Sequence, residues 1–201
     1  CREPASADDL TAFAATSNGN VSVHSLDITS AEQRQAVLTE LSGEALDVLF
    51  NNAGAYGNWD YQSFGQSNVE DWQRTLETNV IAPMQMMETF ADNVAASELK
   101  TIANMTSKMA SMADNGSGGS YIYRSSKAAL NAVCVSAARD LAGRGIKVAV
   151  LHPGWVRTDM GGPNGELSVE ESAAALRKNI ASMTPENSGQ FMEIDGTTIP
   201  W

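Results

Sequence analysis

Short apolar runs, each suited to both faces of an extended chain, recur along this sequence and alternate with segments that begin like helices. These runs are residues 21–26, 46–50, 101–105 and 146–151, and residues 190–194 are predicted to form the final strand. Strands that are apolar on both faces need helices that cover both faces. The alternation of such strands with helices predicts an α/β fold built on a doubly wound parallel sheet.

Three helix starts carry the same signal, a serine followed three residues later by an acid or amide that reaches back to it. The three pairs are Ser30 with Gln33, Ser67 with Glu70 and Ser168 with Glu171. The last pair opens a helix predicted over residues 168–182. The glycine-rich residues 115–120 are predicted to be a loop between a strand and a helix.

The composition narrows the class of protein. The chain has 201 residues, and we expect a single domain over residues 1–201. A net charge of −11 disfavours a surface that follows phosphates, so nucleic acid is not an expected partner. Cys1 and Cys134 match no disulfide framework, and no run suits a leader or a membrane span, so we expect a cytoplasmic, soluble protein with free thiols. His24 and His152 lack clustered acids or thiols beside them, so no metal site is expected.

Three of the predicted strands end in polar or glycine residues. In open α/β sheets, ligands bind outside the carboxyl ends of the strands, so we expect these endings to share one cofactor cleft. The residues that follow the strands are Asn51, Asn52, Ala53 and Gly54 after the second, Thr106 and Ser107 after the third, and His152, Pro153 and Gly154 after the fourth.

Tyr123 and Lys127 lie four positions apart at the start of a predicted helix, so they share one helix face. A tyrosine hydroxyl has an ordinary pKa of about 10 and is a poor proton donor or acceptor at neutral pH. A nearby ammonium favours the phenolate and lowers that pKa. The pair is therefore a candidate proton shuttle, although the same spacing also fits a packed tyrosine beside a solvated lysine.

Asn79 lies on the second of the capped helices. The predicted buried stripe of that helix recurs every four residues, at Trp72, Leu76 and Val80. Pro83, four positions after Asn79, has no amide hydrogen to donate to the Asn79 carbonyl. This predicts a local bend at which a water can bind the freed carbonyl. A proline kink made for packing is the alternative.

Together these motifs resemble, in order and approximate spacing, those of the short-chain dehydrogenase/reductase family. The resemblance covers essentially the whole chain, and residues 152–162 and 199–201 are most similar to the C-factor-type members. It implies a Rossmann-like fold and an NADP(H)-dependent oxidoreductase that transfers hydride to or from a small carbonyl or alcohol. One departure is visible: the interval from Ser107 to Tyr123 is a few residues longer than the family's commonest spacing.

The resemblance also implies four catalytic residues. By position in the motifs, Ser107 is the serine that hydrogen-bonds the substrate oxygen, and Tyr123 is the proton donor. Lys127 tunes the tyrosine and holds the nicotinamide ribose, and Asn79 anchors a water in the proton relay. Ser107 also fits the simpler role of a strand-end cap.

A set of cofactor contacts follows from the same resemblance. Ala53 and Gly54 add no bulk, so the backbone can approach a dinucleotide closely. Asp27 matches an adenine contact but also fits a carboxylate that leads a helix. Arg2 suits a ribose 2′-phosphate, which favours NADP(H) over NAD(H). The implied residues are Arg2, Asp27, Ile28, Asn52, Ala53, Gly54, Tyr123, Lys127, Pro153, Gly154, Val156 and Thr158.

The family's glycine-rich turn, which seats a pyrophosphate, does not occur in these residues. We therefore expect the first strand, the first helix and most of the second strand to precede Cys1 in a longer protein, because residues 21–26 would otherwise have no neighbouring strand. The alternative is a non-catalytic, C-factor-like signalling or interaction protein on the same scaffold. The intact set of four catalytic residues favours the reductase.

The sequence says less about the partners and the substrate of the protein than about its fold and its site. The resemblance implies a homodimer or homotetramer that assembles through the helices of residues 67–93 and 120–142. A small-molecule carbonyl or alcohol is the expected substrate. Residues 55–66 and 160–167 are expected to shape its pocket, but such loops vary freely on one scaffold, so the compound itself stays open.

Overall fold

A computed structural model describes all 201 residues, which form two compact units, Cys1–Glu44 and Ala45–Trp201. The first unit contains a 3₁₀ turn at Pro4–Ser6 and two helices, α1 (Asp8–Thr16) and α2 (Ala31–Glu40).

Helix α2 begins where the sequence predicts. The Ser30 hydroxyl caps it by accepting a hydrogen bond from the Gln33 amide. The Gln33 side chain accepts from the Asp27 amide (2.6 Å), so it supports the turn that leads into the helix.

Residues 21–26 form no strand, so the prediction of a strand there is wrong. Within the first unit, the Leu26 amide donates to the Cys1 carbonyl and the Cys1 ammonium donates to the His24 carbonyl, each at 2.9 Å. A strand needs a neighbouring strand for its amides and carbonyls, and no strand of the structure pairs with these residues. Apolar composition alone therefore does not make a strand.

The second unit is built on a four-stranded parallel sheet with the strand order β1-β2-β3-β4. Strand β2 has its predicted bounds. Strands β1 and β3 begin later than predicted, and β4 is shorter. Because all four strands are parallel, their carboxyl ends lie at one edge of the sheet. The strands are β1 (Val48–Asn51), β2 (Thr101–Met105), β3 (Lys147–Leu151) and β4 (Phe191–Met192).

Four helices connect these strands: α3 (Val69–Leu76), α4 (Ala82–Ala95), α5 (Tyr121–Asp140) and α6 (Val169–Ala181). A π turn at Glu77–Ile81 joins α3 to α4, and 3₁₀ turns lie at Trp59–Tyr61, Lys108–Ala110 and Ala142–Arg144. None of the helices is both long and apolar enough to pass through a lipid bilayer.

Two of the predicted helix starts differ in outcome. Helix α6 begins with the predicted capping box of Ser168 and Glu171. Helix α3 is capped by Asn68, whose side chain accepts from the Asp71 amide (2.9 Å). The predicted cap at Ser67 is therefore wrong by one residue, because asparagine caps a helix as well as serine does.

Helices cover both faces of the sheet, as expected of a doubly wound α/β fold. Side chains alternate along a strand, so Ile102 and Val148 point to the face that α4 and α5 contact. Both are fully buried, and burying such a side chain contributes about 1.5–3 kcal/mol. Helix α6 and the turn after it close the other face, in a cluster of Ala103, Ala149, Leu151, Leu176, Met183 and Met192.

Candidate active site

A cavity of about 690 Å³ opens at the carboxyl ends of β2 and β3. Ser107 enters its wall from the end of β2, and Tyr123 enters from the first turn of α5. The segment after β3 supplies a third part of the wall with His152, Pro153, Gly154, Val156 and Thr158.

Tyr123 and Lys127 share one face of α5, and the Lys127 Nζ lies 5.9 Å from the centre of the Tyr123 ring. Both side chains are buried. The Lys127 ammonium donates to the Met105 carbonyl at the end of β2 (3.0 Å). The Tyr123 amide has no partner inside the first turn of the helix, and it donates to the Gln62 Oε1 (3.2 Å). Lys127 is thus held by the end of β2, and Tyr123 is held by Gln62.

Burial governs the protonation of this pair. It raises the pKa of Tyr123 above the ordinary value, while the nearby Ser107 side chain lowers that pKa and Tyr56 raises it further. Burial also lowers the pKa of Lys127 to about 8, and Cys134 opposes this shift. The sequence predicted a Tyr123 hydroxyl acidified by Lys127. That prediction of direction is wrong, because the loss of water outweighs the other influences on the phenol.

Ser107 has two contacts that matter. Its hydroxyl oxygen accepts from the Met109 amide (3.2 Å) and so caps the 3₁₀ turn at Lys108–Ala110. Its side chain also lies near the Tyr123 phenol and lowers the pKa of that phenol. The strand-end cap and the contact with the phenol therefore coexist in one side chain.

The π turn places Asn79 at a widened part of the helix. The Ala82 amide donates to the Glu77 carbonyl, five residues earlier, which is the π pattern. Pro83 offers the Asn79 carbonyl no amide hydrogen. A helix irregularity therefore lies where the sequence predicted a bend.

The Asn79 side chain is fully buried and bonds both backbone groups of one residue. Its Nδ2 donates to the Ala55 carbonyl (2.7 Å), and its Oδ1 accepts from the Ala55 amide (2.8 Å). The same Nδ2 donates to the Ser126 Oγ on α5 (2.9 Å). Asn79 therefore ties the loop after β1 to the helix that carries Tyr123.

The buried stripe of α3 is polar, so the predicted apolar stripe is wrong. Asp71 and Thr75 are buried there, and the Asp71 Oδ2 accepts from the Asn58 amide (2.9 Å). Gly57 has a φ of +81°, and a Cβ on it would lie 2.9 Å from that same oxygen. Polar side chains are buried here because they satisfy the backbone of the loop. The predicted residues are only half-buried: Trp72, Leu76 and Val80.

Gly54 lies against both Lys127 and Asn79. A Cβ on Gly54 would be 3.2 Å from the Lys127 Nζ and 3.4 Å from the Asn79 Oδ1. Asn52, Ala53 and Gly54 are exposed, and two of the three carry almost no side chain. Their backbone is therefore open to the close approach of a flat ligand, which fits a dinucleotide.

The segment after β3 is a tight turn held by α6. The Pro153 carbonyl accepts from the Ser172 Oγ (2.7 Å). Gly154 has a φ of +79°, and a Cβ on it would clash with Leu167. Val156 forms a β-bridge with the same Leu167. This backbone is rigid and borders the cavity, as a cofactor site requires.

Three of the predicted cofactor residues lie in the first unit. Asp27 accepts from the Thr29 hydroxyl (2.7 Å) and amide (2.9 Å), and these bonds hold the pKa of its carboxyl below the ordinary value. Arg2 is exposed, and its charge adds a smaller lowering of that pKa. The Ile28 carbonyl accepts from the Arg34 guanidinium. Asp27 thus serves the turn before α2, the second role that its sequence position suggested.

Tyr56, Gln62 and Arg124 belong to the site. Tyr56 and Gln62 lie in the loop 55–66 that was expected to shape the pocket, but their contacts with Tyr123 were not predicted, and Arg124 was missed. The Tyr56 ring packs between the rings of Trp59 and Tyr123, with centroids 3.9 and 4.8 Å away. Gln62 donates to the Tyr56 carbonyl (2.7 Å) as well as accepting from Tyr123. No local pattern announces these long-range contacts. Arg124 did offer a signal, because the dipole disfavours a cation in the first turn of a helix.

A family model described as short chain dehydrogenase matches residues 3–167. The chain belongs to this family.

Relatives and solved structures agree with that assignment. C-signal of Myxococcus xanthus is 38% identical over 167 residues, which cover 83% of this chain and 99% of that protein. The carbonyl reductase Sniffer of D. melanogaster has a TM-score of 0.93 at 29% identity, covering 100% of this chain and 86% of that one. An NADPH-bound carbonyl reductase from chicken fatty liver has a TM-score of 0.89 at 27% identity, covering 97% and 82%.

The protein is therefore an oxidoreductase of the short-chain dehydrogenase type, which uses a nicotinamide cofactor and acts on a small molecule. This is the class that the sequence predicted, on an α/β scaffold of the predicted kind.

Proposed function

We propose that the protein interconverts a small carbonyl compound and its alcohol with NADP(H), and that Tyr123 donates or accepts the proton. The observation that carries this proposal is that Ser107 and Tyr123 line the same cavity, with the Ser107 side chain close enough to the phenol to lower its pKa. Two hydroxyls that converge in this way suit a single substrate oxygen. The carbonyl reductases with similar structures support the choice of a carbonyl substrate.

Each of the four residues has a distinct part in the proposed reaction. Ser107 donates to the substrate oxygen and polarises it, and Tyr123 gives that oxygen its proton. Lys127, with a pKa of about 8, is mostly protonated at neutral pH and stabilises the phenolate that Tyr123 becomes. Asn79 fixes the loop at Ala55, and its carbonyl in the π turn anchors a water that returns the proton.

The nicotinamide group, when bound, supplies or accepts the hydride. Arg2 binds the ribose 2′-phosphate, so NADP(H) is preferred over NAD(H), and Asp27 and Ile28 contact the adenine. An NADPH-bound reductase of similar structure supports this preference. The remaining cofactor contacts come from Asn52, Ala53, Gly54, Tyr123, Lys127, Pro153, Gly154, Val156 and Thr158.

The proposal extends to organisation. Residues 1–201 belong to one nicotinamide-binding domain. The protein is a homodimer or homotetramer that packs through helices such as α5, where small residues permit close contact. It works in the cytoplasm, and this part of the proposal rests on the sequence, in which Cys1 and Cys134 match no disulfide framework.

Replacing Tyr123 by Phe tests the proposed reaction. Removing the hydroxyl should lower kcat about 10²- to 10⁴-fold, the usual contribution of a general acid or base. The ring should still pack against Tyr56, so the affinity for NADPH should change little. The measurement is NADPH oxidation with a panel of aldehydes and ketones, together with NADPH binding followed by fluorescence.

Activity that survives this change would refute the role of Tyr123. A wild-type protein that binds no nicotinamide cofactor and turns over no member of the panel would favour the alternative, a non-catalytic signalling role like that suggested by the similarity to C-signal. The carbonyl reductase structures favour the oxidoreductase.

A further inference from the structure

Arg124 brings to the wall of the cavity a positive charge that forms no ion pair. It follows Tyr123 directly in the first turn of α5 and lines the same cavity. Its Nη1 donates to the Met109 carbonyl (3.1 Å) and its Nη2 to the Ser117 Oγ (2.9 Å). It takes part in none of the ion pairs of the structure. Two neutral oxygens therefore hold the guanidinium in place without neutralising it.

Lys108 and His152 of the cavity wall each lie beside an acid, whereas Asp114, which lines the same cavity, forms no ion pair. Lys108 forms an ion pair with Glu193 (3.1 Å), and Asp114 adds to the field that raises the pKa of Lys108. His152 faces the same Glu193 (3.6 Å), and burial lowers the pKa of this histidine, which favours its neutral form. None of these acids pairs with Arg124. The cavity thus presents one cation that lacks an acidic partner.

The position of Arg124 makes an anion there more favourable still. The first turn of a helix carries the positive end of the helix dipole, and α5 has no acidic residue in its first turn. A guanidinium suits carboxylates and similar anions because its donors form a planar fork.

From this arrangement we infer that the substrate carries an acidic group, such as a carboxylate, which binds Arg124 while the reacting carbonyl lies at Ser107 and Tyr123. This inference rests on the proposed function. The substrate class is an oxo acid or a formyl acid with an apolar body, because Trp155 and Met160 supply apolar wall between the polar groups of the same cavity.

The test compares two aldehydes of similar size, 4-carboxybenzaldehyde and methyl 4-formylbenzoate, which differ in charge. The wild-type protein should have the higher kcat/KM for the acid. In Arg124→Gln, kcat/KM for the acid should fall about tenfold or more, as expected when a charge-assisted hydrogen bond is lost. The value for the ester should stay within about twofold. Arg124→Lys should keep part of the preference.

Controls separate this role from two others. Ser117→Ala removes one contact of the guanidinium but keeps its charge, so the preference for the acid should persist. The KM for NADPH should not change in Arg124→Gln, because the anion that Arg124 binds belongs to the substrate and not to the cofactor. Thermal unfolding shows whether each variant is folded. If Arg124→Gln does not fold, the comparison of the acid with the ester is made with Arg124→Lys instead.

Three results would overturn the inference: equal kcat/KM of the wild-type protein for acid and ester, an equal loss for both compounds in Arg124→Gln, or a rise in the NADPH KM without a change in the acid preference. Each of these leaves the reductase itself in place. Turnover of neither compound, nor of any neutral aldehyde in the wider panel, would contradict the proposed function and this inference together.

Discussion

The site has two contrasting regions. The inner wall is the group of Gly54, Asn79 and Lys127, which pack against one another outside the lining of the cavity. The outer rim is the group of Trp59, Trp155 and Met160, which line the cavity itself. The Asn79 and Lys127 side chains are buried and hydrogen-bonded to backbone. The rim side chains are 64%, 49% and 41% exposed. Asn79 and Lys127 lie on helical backbone and Gly54 in the loop after β1, whereas the rim residues lie in loops and short turns.

This difference separates two properties of the protein. Groups held by helix and sheet backbone keep a fixed geometry, which proton transfer requires. Loops vary more freely than the helices and strands that they connect. The inner wall should therefore determine the rate of the chemical step, and the rim should determine which compounds enter.

Lys127→Met attacks the inner wall most directly. It removes the charge that stabilises the Tyr123 phenolate and the bond to the Met105 carbonyl, while keeping a buried unbranched side chain. We expect kcat to fall about a hundredfold or more, measured by NADPH oxidation at saturating substrate. Activity near that of the wild type would mean that the inner wall does not set the rate.

The same variant should also change how the free energy of unfolding depends on pH. Burial lowers the Lys127 pKa from 10.5 to about 8, so between these values the unfolded chain binds more protons than the folded one. The free energy of unfolding of the wild type should therefore rise with pH, relative to Lys127→Met, by a few kcal/mol across this window. Tyr123 and Cys134 titrate in both proteins and largely cancel in the difference. Urea denaturation at pH 8 and pH 10 measures it, and a falling difference would contradict the buried ammonium.

Gly54→Ala tests the spacing of the inner wall. The new Cβ would lie 3.2 Å from the Lys127 Nζ, which must shift by a few tenths of an ångström. Because small misplacements in a site are costly, we expect about a tenfold loss of kcat with little change in thermal stability. Gly143→Ala is the matched control, since a Cβ there meets nothing within 4 Å. Equal activity of the two variants would show that the wall is less rigid than described.

Trp59→Ala tests the rim and should have the smallest effect. Losing the stacked ring over Tyr56 should raise KM for aromatic aldehydes about two- to tenfold, as expected for an aromatic contact, and leave kcat within about twofold. Phe64→Ala is the control, because Phe64 is 88% exposed and does not line the cavity. A fall in kcat with unchanged KM would mean that Trp59 contributes to the chemical step. That result would contradict the proposed difference between the rim and the inner wall.

Local patterns predicted much of the fold. Strand β2 was predicted to the residue because its neighbours β1 and β3 are present to bond it. Residues 21–26 have similar composition but no neighbouring strand, and composition carries no information about neighbours. The cap of α3 was missed by one residue because Asn68 and Ser67 are both good caps.

The candidate site was predictable only in part. Helical spacing places Tyr123 and Lys127 on one face, and this required no tertiary knowledge. The direction of the Tyr123 pKa shift could not be derived in that way, because burial depends on how the whole unit packs. The contacts of Tyr56 and Gln62 with Tyr123 were not predicted for a related reason: they span about sixty residues of sequence.

The π turn at Glu77–Ile81 changes the direction in which the side chains of α4 point relative to those of α3. One additional residue in a turn rotates every later side chain by about 100° around the axis. The helix formed by α3 and α4 therefore packs against different neighbours in its two halves. Trp72 in α3 donates to Ser125 of α5, whereas α4 packs on β1 and β2. The one additional residue in the π turn thus lets a nearly continuous helix pack against a neighbouring helix with its first half and against the sheet with its second half.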